Sequence, residues 1–277
     1  MEVDPYADTL PPRYAIESDE EEEEFNPLHV VKPTTENTTV EAKILGELLS
    51  GGNLVVVSGE AGTIWAKGAS LGGQTGAVYA NNVQIGLAFN PSWTKSIVII
   101  SEALSGLPLY AMNPYAKHIL ESLQPKSLSL LDTYVVPTYS KDHAISFQEA
   151  PIRYLSTAED TKFLEGKAEL FSPPNLIQST SASFLSILSV TSTPATVILL
   201  PSPHIPHPPP KQISTSNISH LTYDDVEWPT DLVNTAQSLL FKAVGENVDH
   251  AWKPLERKKK EKPSKRNTEV GEGGMYI

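Results

Sequence analysis

Three short aliphatic runs constrain the fold of this chain more than any other feature of its sequence. They lie at Leu54–Val57, Ser96–Ser101 and Ala195–Leu200. Each is rich in Val, Ile and Leu and lacks the alternation of apolar and polar residues that marks a half-exposed strand. Such runs are typical of strands that are buried on both faces of a sheet. Because helical patterns alternate with strands in the second half of the chain, the sequence predicts an α/β fold.

Proline and glycine mark the ends of the predicted helices. Asn113 and Pro114 suit an N-cap and a first helical turn, and Pro125 stops the apolar spacing that follows them. Pro229 and Gly245 bracket the last helix in the same way. The sequence thus predicts helices over residues 113–124, 177–188 and 229–244, and a further strand at Leu128–Val136.

The first part of the predicted domain has a different pattern. Thr38 and Glu41 fit a capping box, and apolar residues at helical spacing follow, so residues 38–48 are expected to be helical. The glycine-rich stretch 59–90 is expected to form antiparallel hairpins, because Val83–Phe89 alternates in the manner of a strand with one buried face. We therefore expect a single domain with a mixed sheet, in which an antiparallel hairpin region precedes strand–helix alternation.

Charge divides the chain into a globular middle and two arms. Residues 1–24 hold ten acidic residues and one basic residue, whereas residues 253–277 hold eight basic and four acidic residues. Acidic runs without apolar residues cannot bury enough surface to offset the entropy of ordering. The predicted organisation is a disordered acidic arm over 1–37, an α/β domain over 38–252 with an exposed proline-rich loop at 201–210, a flexible basic linker over 253–274 and a terminal motif at 275–277.

Composition excludes several classes of protein and site. The chain has no cysteine, so disulfides, thiolate nucleophiles and cysteine-ligated metals are ruled out. The acidic N-terminal stretch is unlike a secretory leader, and no apolar run approaches the roughly 20 residues that cross a bilayer. We expect a soluble cytoplasmic protein without membrane or nucleic-acid partners, because the middle of the chain has no basic stripe. The run Arg257–Lys260 is a candidate nuclear localisation signal, so the nucleus is a second expected location.

Two motifs that resemble catalytic or metal sites lie in unfavourable contexts. Gly68–Gly72 matches the G-x-S-x-G elbow with Ser70 as nucleophile, but glycines follow where the elbow needs a helix. His204 and His207 lie in the proline-rich loop without a nearby carboxylate to complete a metal site. The chain is therefore predicted to be no enzyme and to hold no metal or cofactor. A serine hydrolase that uses Ser70 is the alternative.

An apolar residue and a tyrosine reappear at the end of the chain, in Met275-Tyr276-Ile277, after a mostly polar and glycine-ended stretch. This arrangement suits capture of a C-terminal carboxylate in a groove. Ile277 would supply the carboxylate for a cationic partner, and Tyr276 a ring to bury and a phenol to hydrogen-bond. Met275 would supply an adaptable apolar contact. The three residues are the predicted partner-binding site.

The ending resembles the hydrophobic–tyrosine–any-residue motif by which proteasome activators and some assembly chaperones dock on the proteasome. With its acidic arm, α/β domain and late helix before the tail, the chain is similar to proteasome assembly chaperones of fungal type. The resemblance implies a heterodimer with a second, related assembly chaperone that binds the α ring of the core particle through Met275, Tyr276 and Ile277. It also implies promotion of correct ring assembly and a block on premature activator binding. A nuclear scaffold that uses the charged arms is a further alternative.

Overall fold

The structure, a computed structural model, describes residues 39–140, 145–215 and 226–254 and contains nine strands and four α-helices in that part of the chain. The strands are β1 Ala42–Gly46, β2 Asn53–Ser58, β3 Gln74–Ala80, β4 Val83–Phe89, β5 Ile97–Ser101, β6 Ser127–Val135, β7 Arg153–Ser156, β8 Glu169–Leu170 and β9 Ala195–Ser202. The helices are α1 Gly59–Gly68, α2 Leu109–Leu123, α3 Thr180–Thr191 and α4 Thr230–Lys242.

All nine strands belong to one mixed sheet, in the order β1-β3-β4-β5-β2-β6-β9-β7-β8. Its centre is parallel, because β2 pairs in parallel with β5 and β6, and β6 with β9. Strands β1, β3 and β4 extend one side as an antiparallel meander, and β7 joins the other side antiparallel to β9. This architecture confirms the predicted α/β class with a mixed sheet.

The central strands are buried on both faces, as the aliphatic runs predicted. Successive side chains of a strand point to opposite faces. Leu54 and Val56 of β2 therefore join a core cluster with α2 and α3, whereas Val55 and Val57 join a second cluster with α1 and α4. The result is a three-layer arrangement in which each face of the sheet is covered by two helices. None of the described helices is long and apolar enough to span a membrane.

The helix predicted over residues 38–48 is wrong, because part of this segment is the edge strand β1. Its residues pair with β3 from Ala42 opposite Ala80 to Gly46 opposite Gly76. The backbone of Glu41, the expected capping residue, instead exchanges hydrogen bonds with Asn81, whose side chain accepts from the Glu41 N–H at 2.8 Å. Pairing with β3 therefore overrides the local helix signal.

The hairpin prediction for residues 59–90 is confirmed for β3 and β4 and wrong for the segment before them. Asn81 and Asn82 connect the two strands with positive φ angles of 46° and 63°, as a tight hairpin turn requires. Residues 59–68 instead form α1, which packs the buried Trp65 against the sheet. The glycines that suggested turns here are used for close packing, as at Gly62.

Two predicted helices have different starts in the structure. Helix α2 begins at Leu109, so Pro114 lies inside it rather than at its first turn. The earlier start buries Ala111 and Met112 against the sheet. Helix α3 begins at Thr180, so the apolar residue at 177 precedes it.

The proline-rich loop is shorter than predicted, since Pro201 and Ser202 continue β9. The carbonyl of Ser202 accepts from Val136 beside β6, so the nitrogen of Pro201 faces the β7 side. Strand β7 extends only to the position opposite Leu199, so no strand there requires an N–H from Pro201. Residues 204–210 are exposed, as predicted.

The contact of α1 with β2 gives a direct test of the packing. A Cβ on Gly62 would lie 2.7 Å from the carbonyl carbon of Val57, a distance that requires the backbone to move. We expect Gly62→Ala to lower the free energy of unfolding by about 1–2 kcal/mol, because overpacking outweighs a helix-propensity gain of about 1 kcal/mol. Denaturant unfolding measures it. Gly52→Ala, with no atom within 4 Å of its new Cβ, is the control and should change little; an unchanged Gly62→Ala would contradict the packing.

Candidate functional site

The predicted docking residues Met275, Tyr276 and Ile277 lie outside the described residues, as do the acidic arm and the lysine-rich run. The described chain extends to Pro254. The structure therefore bears on the place where the predicted linker begins, and not on the terminal motif itself.

The last described segment, residues 246–254, packs back along α1 and α4 and is called the strap below. The buried indole of Trp252 donates to the carbonyl of Trp65 at 2.8 Å, and the Trp252 N–H donates to the Asn234 side chain at 2.8 Å. The Lys253 N–H donates to the carbonyl of Gly68 at 3.2 Å. These bonds fix the start of the predicted linker beside the C-terminal end of α1.

A second set of contacts anchors the beginning of the strap. The Glu246 carboxylate accepts from the hydroxyls of Thr94 and Ser96, each at 2.6 Å, and from the Lys95 N–H at 3.1 Å. Although partial burial opposes ionisation, these hydrogen bonds lower the pKa of Glu246 overall. Further along, the ring of His250 stacks on Trp93 with centroids 4.7 Å apart. Both anchors lie where β2 and β5 begin, which we call the amino edge of the sheet.

Ser70 is not in a nucleophile elbow. The elbow requires a strand before the serine and a helix after it. Here helix α1 precedes Ser70, and the next regular element is strand β3. The backbone of Ser70 has a φ of 49°, and its carbonyl accepts from the indole of Trp93 at 3.1 Å. The geometry gives the hydrolase alternative no support.

His204 and His207 lie on exposed backbone after β9. Among the residues that the structure describes, no group of three or more His, Asp or Glu is placed to hold a metal ion. The loop in which they lie crosses the opposite edge of the sheet, since the Ser105 hydroxyl near β5 donates to the carbonyl of Ser214 at 2.7 Å.

A buried polar centre lies at that opposite edge, where the parallel strands end; we call it the carboxyl edge. Asp132 of β6 accepts from the hydroxyls of Ser179 at 2.6 Å and Ser181 at 2.7 Å, and its other oxygen accepts from the Thr133 N–H. Ser181 also shares a hydrogen bond with Ser58 at the end of β2. The carboxylate thus joins β6 and β2 to the first turn of α3, where the helix dipole favours negative charge.

A second carboxylate, Glu102, completes this centre. It follows β5 with a φ of 56°. Its two oxygens accept from the Leu107 N–H at 2.9 Å and from the Thr180 hydroxyl at 2.7 Å. All four carboxylate oxygens of Asp132 and Glu102 are therefore engaged by donors of the protein. The pair fixes α3 and the β5–α2 loop on the sheet.

Burial governs the protonation of both groups. Desolvation raises the pKa of Asp132, against the opposing hydrogen bonds from Ser179 and Ser181. Desolvation also raises the pKa of Glu102, and the nearby charge of Asp132 raises it further. The sequence interpretation missed this pair. The sequence did contain a signal for each residue alone, because Asp132 lies within a predicted strand and Glu102 directly follows one.

Among solved structures, this fold is similar to that of PbaA from Pyrococcus furiosus, an archaeal homolog of proteasome-assembly chaperone. In its monoclinic form PbaA is 12% identical over 75% of this chain and 83% of its own, with a TM-score of 0.50. PbaB of the same organism, an archaeal proteasome activator, is 12% identical over 76% of this chain and 91% of its own, with a TM-score of 0.48. No protein-family model and no curated protein matches the chain. At this identity the likeness to PbaA shows a shared fold.

The raised pKa of Asp132 predicts a pH dependence of stability. As pH rises above the ordinary value of 3.8, Asp132 ionises in the unfolded chain before it ionises in the folded one. Its contribution to stability is therefore largest at acid pH and falls until the raised folded-state pKa is passed, by at most about 1.4 kcal/mol per pH unit. The variant Asp132→Asn carries an amide at this position, which does not titrate.

Urea unfolding of the wild type and Asp132→Asn across a pH series measures this difference directly. We expect the stability of the wild type relative to the variant to fall as pH rises. Glu121→Gln, at an exposed carboxylate on α2, controls for the loss of one negative charge and should give no such trend. A relative stability that is constant or rises with pH would contradict the buried-carboxylate account.

Proposed function

We propose that this protein is a proteasome assembly chaperone of fungal type, which acts by binding and not by catalysis. The observation that carries the proposal is the described α/β fold shared with PbaA, an archaeal homolog of proteasome-assembly chaperone, in a chain whose sequence ends in Met275-Tyr276-Ile277. The fold supports the assembly role, and the tripeptide supports a specific mode of docking.

In the proposed mechanism the terminal tripeptide enters a groove between neighbouring α subunits of the core particle. The carboxylate of Ile277 pairs with a cationic side chain of the groove, which requires that the carboxylate be free. The ring of Tyr276 is buried and its phenol is hydrogen-bonded, and Met275 adapts to the apolar wall. A few buried anchors of this kind can carry most of the binding free energy of an interface.

The strap gives this mechanism a fixed starting point. Trp252 and Lys253 are bonded to the end of α1, so the distance available to the docking residues depends on the chain after Pro254. Treated as a random coil, the roughly 20 residues between Pro254 and Met275 span about 25 Å. The folded domain can therefore rest on the outer face of the ring while the tail reaches a groove beside it.

The proposal includes a second, related assembly chaperone as partner. The heterodimer would cap the outer face of the α ring, favour correct ring assembly and block activators from docking before the particle is complete. Contacts made with the immature particle and lost on maturation would supply the free energy, so no nucleotide is required. We place the protein in the cytoplasm and, through its lysine-rich run 257–266, in the nucleus.

Substitution of the terminal residues tests the docking mode. We expect Tyr276→Ala, or deletion of Ile277, to weaken binding of the full chain to purified proteasome core particle at least about tenfold. The first change removes the buried ring, and the second moves the terminal carboxylate away from its cationic partner. Interferometry on immobilised core particle measures the affinity. Adding one alanine after Ile277 should weaken binding similarly, since it displaces the carboxylate without removing a side chain.

The matched control is Tyr14→Ala, which removes a tyrosine from the opposite arm and should leave the affinity unchanged. Exchange of Met275 and Tyr276 keeps the composition and the terminal carboxylate but moves the ring. It therefore separates sequence-specific docking from nonspecific hydrophobic binding. Wild-type affinity in both Tyr276→Ala and the Ile277 deletion would show that the tail has no part in binding. Circular dichroism confirms that each variant is folded.

A further inference from the structure

Two side chains of α4 bind the backbone of the strap. Asn234 contacts both backbone groups of Trp252: its oxygen accepts from the N–H at 2.8 Å, and its nitrogen donates to the carbonyl at 3.4 Å. One turn further along α4, the buried side chain of Gln237 donates to the carbonyl of His250 and accepts from the indole of Trp65 at 3.0 Å. The strap is therefore held by its backbone at two positions, in addition to its buried indole.

The strap also completes helix α1. The last carbonyls of a helix have no partner inside that helix. In α1 two of them, the carbonyls of Trp65 and Gly68, accept from the Trp252 indole and from the Lys253 N–H. The strap thus supplies donors that the helix itself lacks, and these bonds fix the strap in one place on the domain.

Gly68 is a position of very close approach between α1 and the strap. A Cβ on Gly68 would overlap the carbonyl oxygen of Lys253 and would lie 2.5 Å from the indole of Trp252. Outside its own helix, the three atoms nearest to that Cβ all belong to the strap. Gly68 does not have a positive φ angle, so its backbone does not require glycine. The requirement for glycine comes from the strap.

The strap keeps residues 247–254 out of the tail. Glu246 is bound at the amino edge and Trp252 beside α1, so these eight residues lie along the domain. A tail that began at Glu246 would be eight residues longer. Since an extended residue spans about 3.3–3.6 Å, the added reach is at most about 28 Å. Every point within reach of the held tail stays within reach after release, because the freed residues can follow the same path.

We infer that Trp252 is a positioning residue for the docking motif, because it restricts the tail to the grooves nearest the end of α1. The inference rests on the proposed function and adds a determinant of which groove is used. A tethered motif has almost no effective concentration at a site that its linker cannot span. A long tail can enter several grooves of the ring and a short tail fewer. The strap therefore selects a groove by geometry.

Stepwise deletion within the linker measures the reach of the tail. Residues are removed from 255–274 of the full chain, and interferometry on immobilised core particle gives the affinity at each length. We expect docking to be lost below a critical linker length. In the released variant, Trp252→Ala with His250→Ala, the critical length should be shorter by about four to eight residues, because freed residues of the strap replace the deleted ones.

The same series separates positioning from stability. A substitution that only destabilised the domain would weaken binding at every linker length. Release predicts a change of sign. With the full linker the variant should bind roughly twofold more weakly, because the longer tether dilutes the motif. With a linker too short for the held tail, it should bind at least about tenfold more tightly than the wild type of the same length.

A matched variant controls for the loss of a buried indole and an imidazole. Trp228→Ala with His118→Ala removes the same two types of side chain outside the strap. Trp228 is 7% exposed and Trp252 6%, and the Trp228 indole also donates to a backbone carbonyl. We expect this control to lose stability but to keep the critical length of the wild type.

Gly68→Ala releases the strap without changing the sequence of the strap. It should shorten the critical length as the released variant does, since its Cβ occupies the place of the strap. Its control is Gly73→Ala, which follows the same helix and has no atom within 4 Å of the new Cβ. This control should leave the critical length unchanged.

Hydrogen exchange of the free protein examines the strap without the proteasome. The amides of Trp252 and Lys253 donate to Asn234 and to Gly68, so they should be protected in the wild type and in the two controls. They should exchange as in an unfolded chain in the released variant and in Gly68→Ala. Circular dichroism confirms that each variant is folded.

Three results would overturn the inference. They are a wild-type strap that exchanges as an unfolded chain does, a critical length that release leaves unchanged, and an affinity that does not depend on linker length. The proposed function is tested separately by Tyr276→Ala with the full linker. If that change weakens binding while release leaves the critical length unchanged, the positioning role is wrong and docking through the tail stands.

Discussion

Burial of the central parallel strands on both faces is the constraint on which the rest of this structure depends. Because β5, β2, β6 and β9 have no solvent-facing side, polar groups of these strands are confined mostly to the strand ends. Asp132 and Glu102 stand at one end, bonded to the hydroxyls of α3, and the Glu246 anchor of the strap stands at the other. Both edges of the sheet are therefore the places where the molecule can carry polar or binding chemistry, while its faces are occupied by helices.

The strands most constrained by this burial are also those that the sequence predicts best. The runs in β2, β5 and β9 are continuous and aliphatic, so their type follows from composition within a few residues. The secondary-structure predictions that are wrong concern segments in which a local sequence signal competes with a tertiary contact. Residues 38–48 carry a helix pattern but pair with β3, and residues 59–68 carry turn glycines but pack as α1 against β2. The structure of these segments depends on contacts with residues that are distant in sequence. The pattern of a single segment holds no information about such contacts.

The candidate sites divide in the same way. Met275, Tyr276 and Ile277 can be proposed from sequence, because a short terminal motif acts without help from the fold. The Asp132–Glu102 pair cannot, since it exists only when β6 and β5 lie on either side of β2, and that strand order is not the order of the chain. Ser70 shows the converse case: its motif is complete in sequence, but the surrounding elements are in the wrong order for its chemistry. Motif and topology must agree before a site can be assigned.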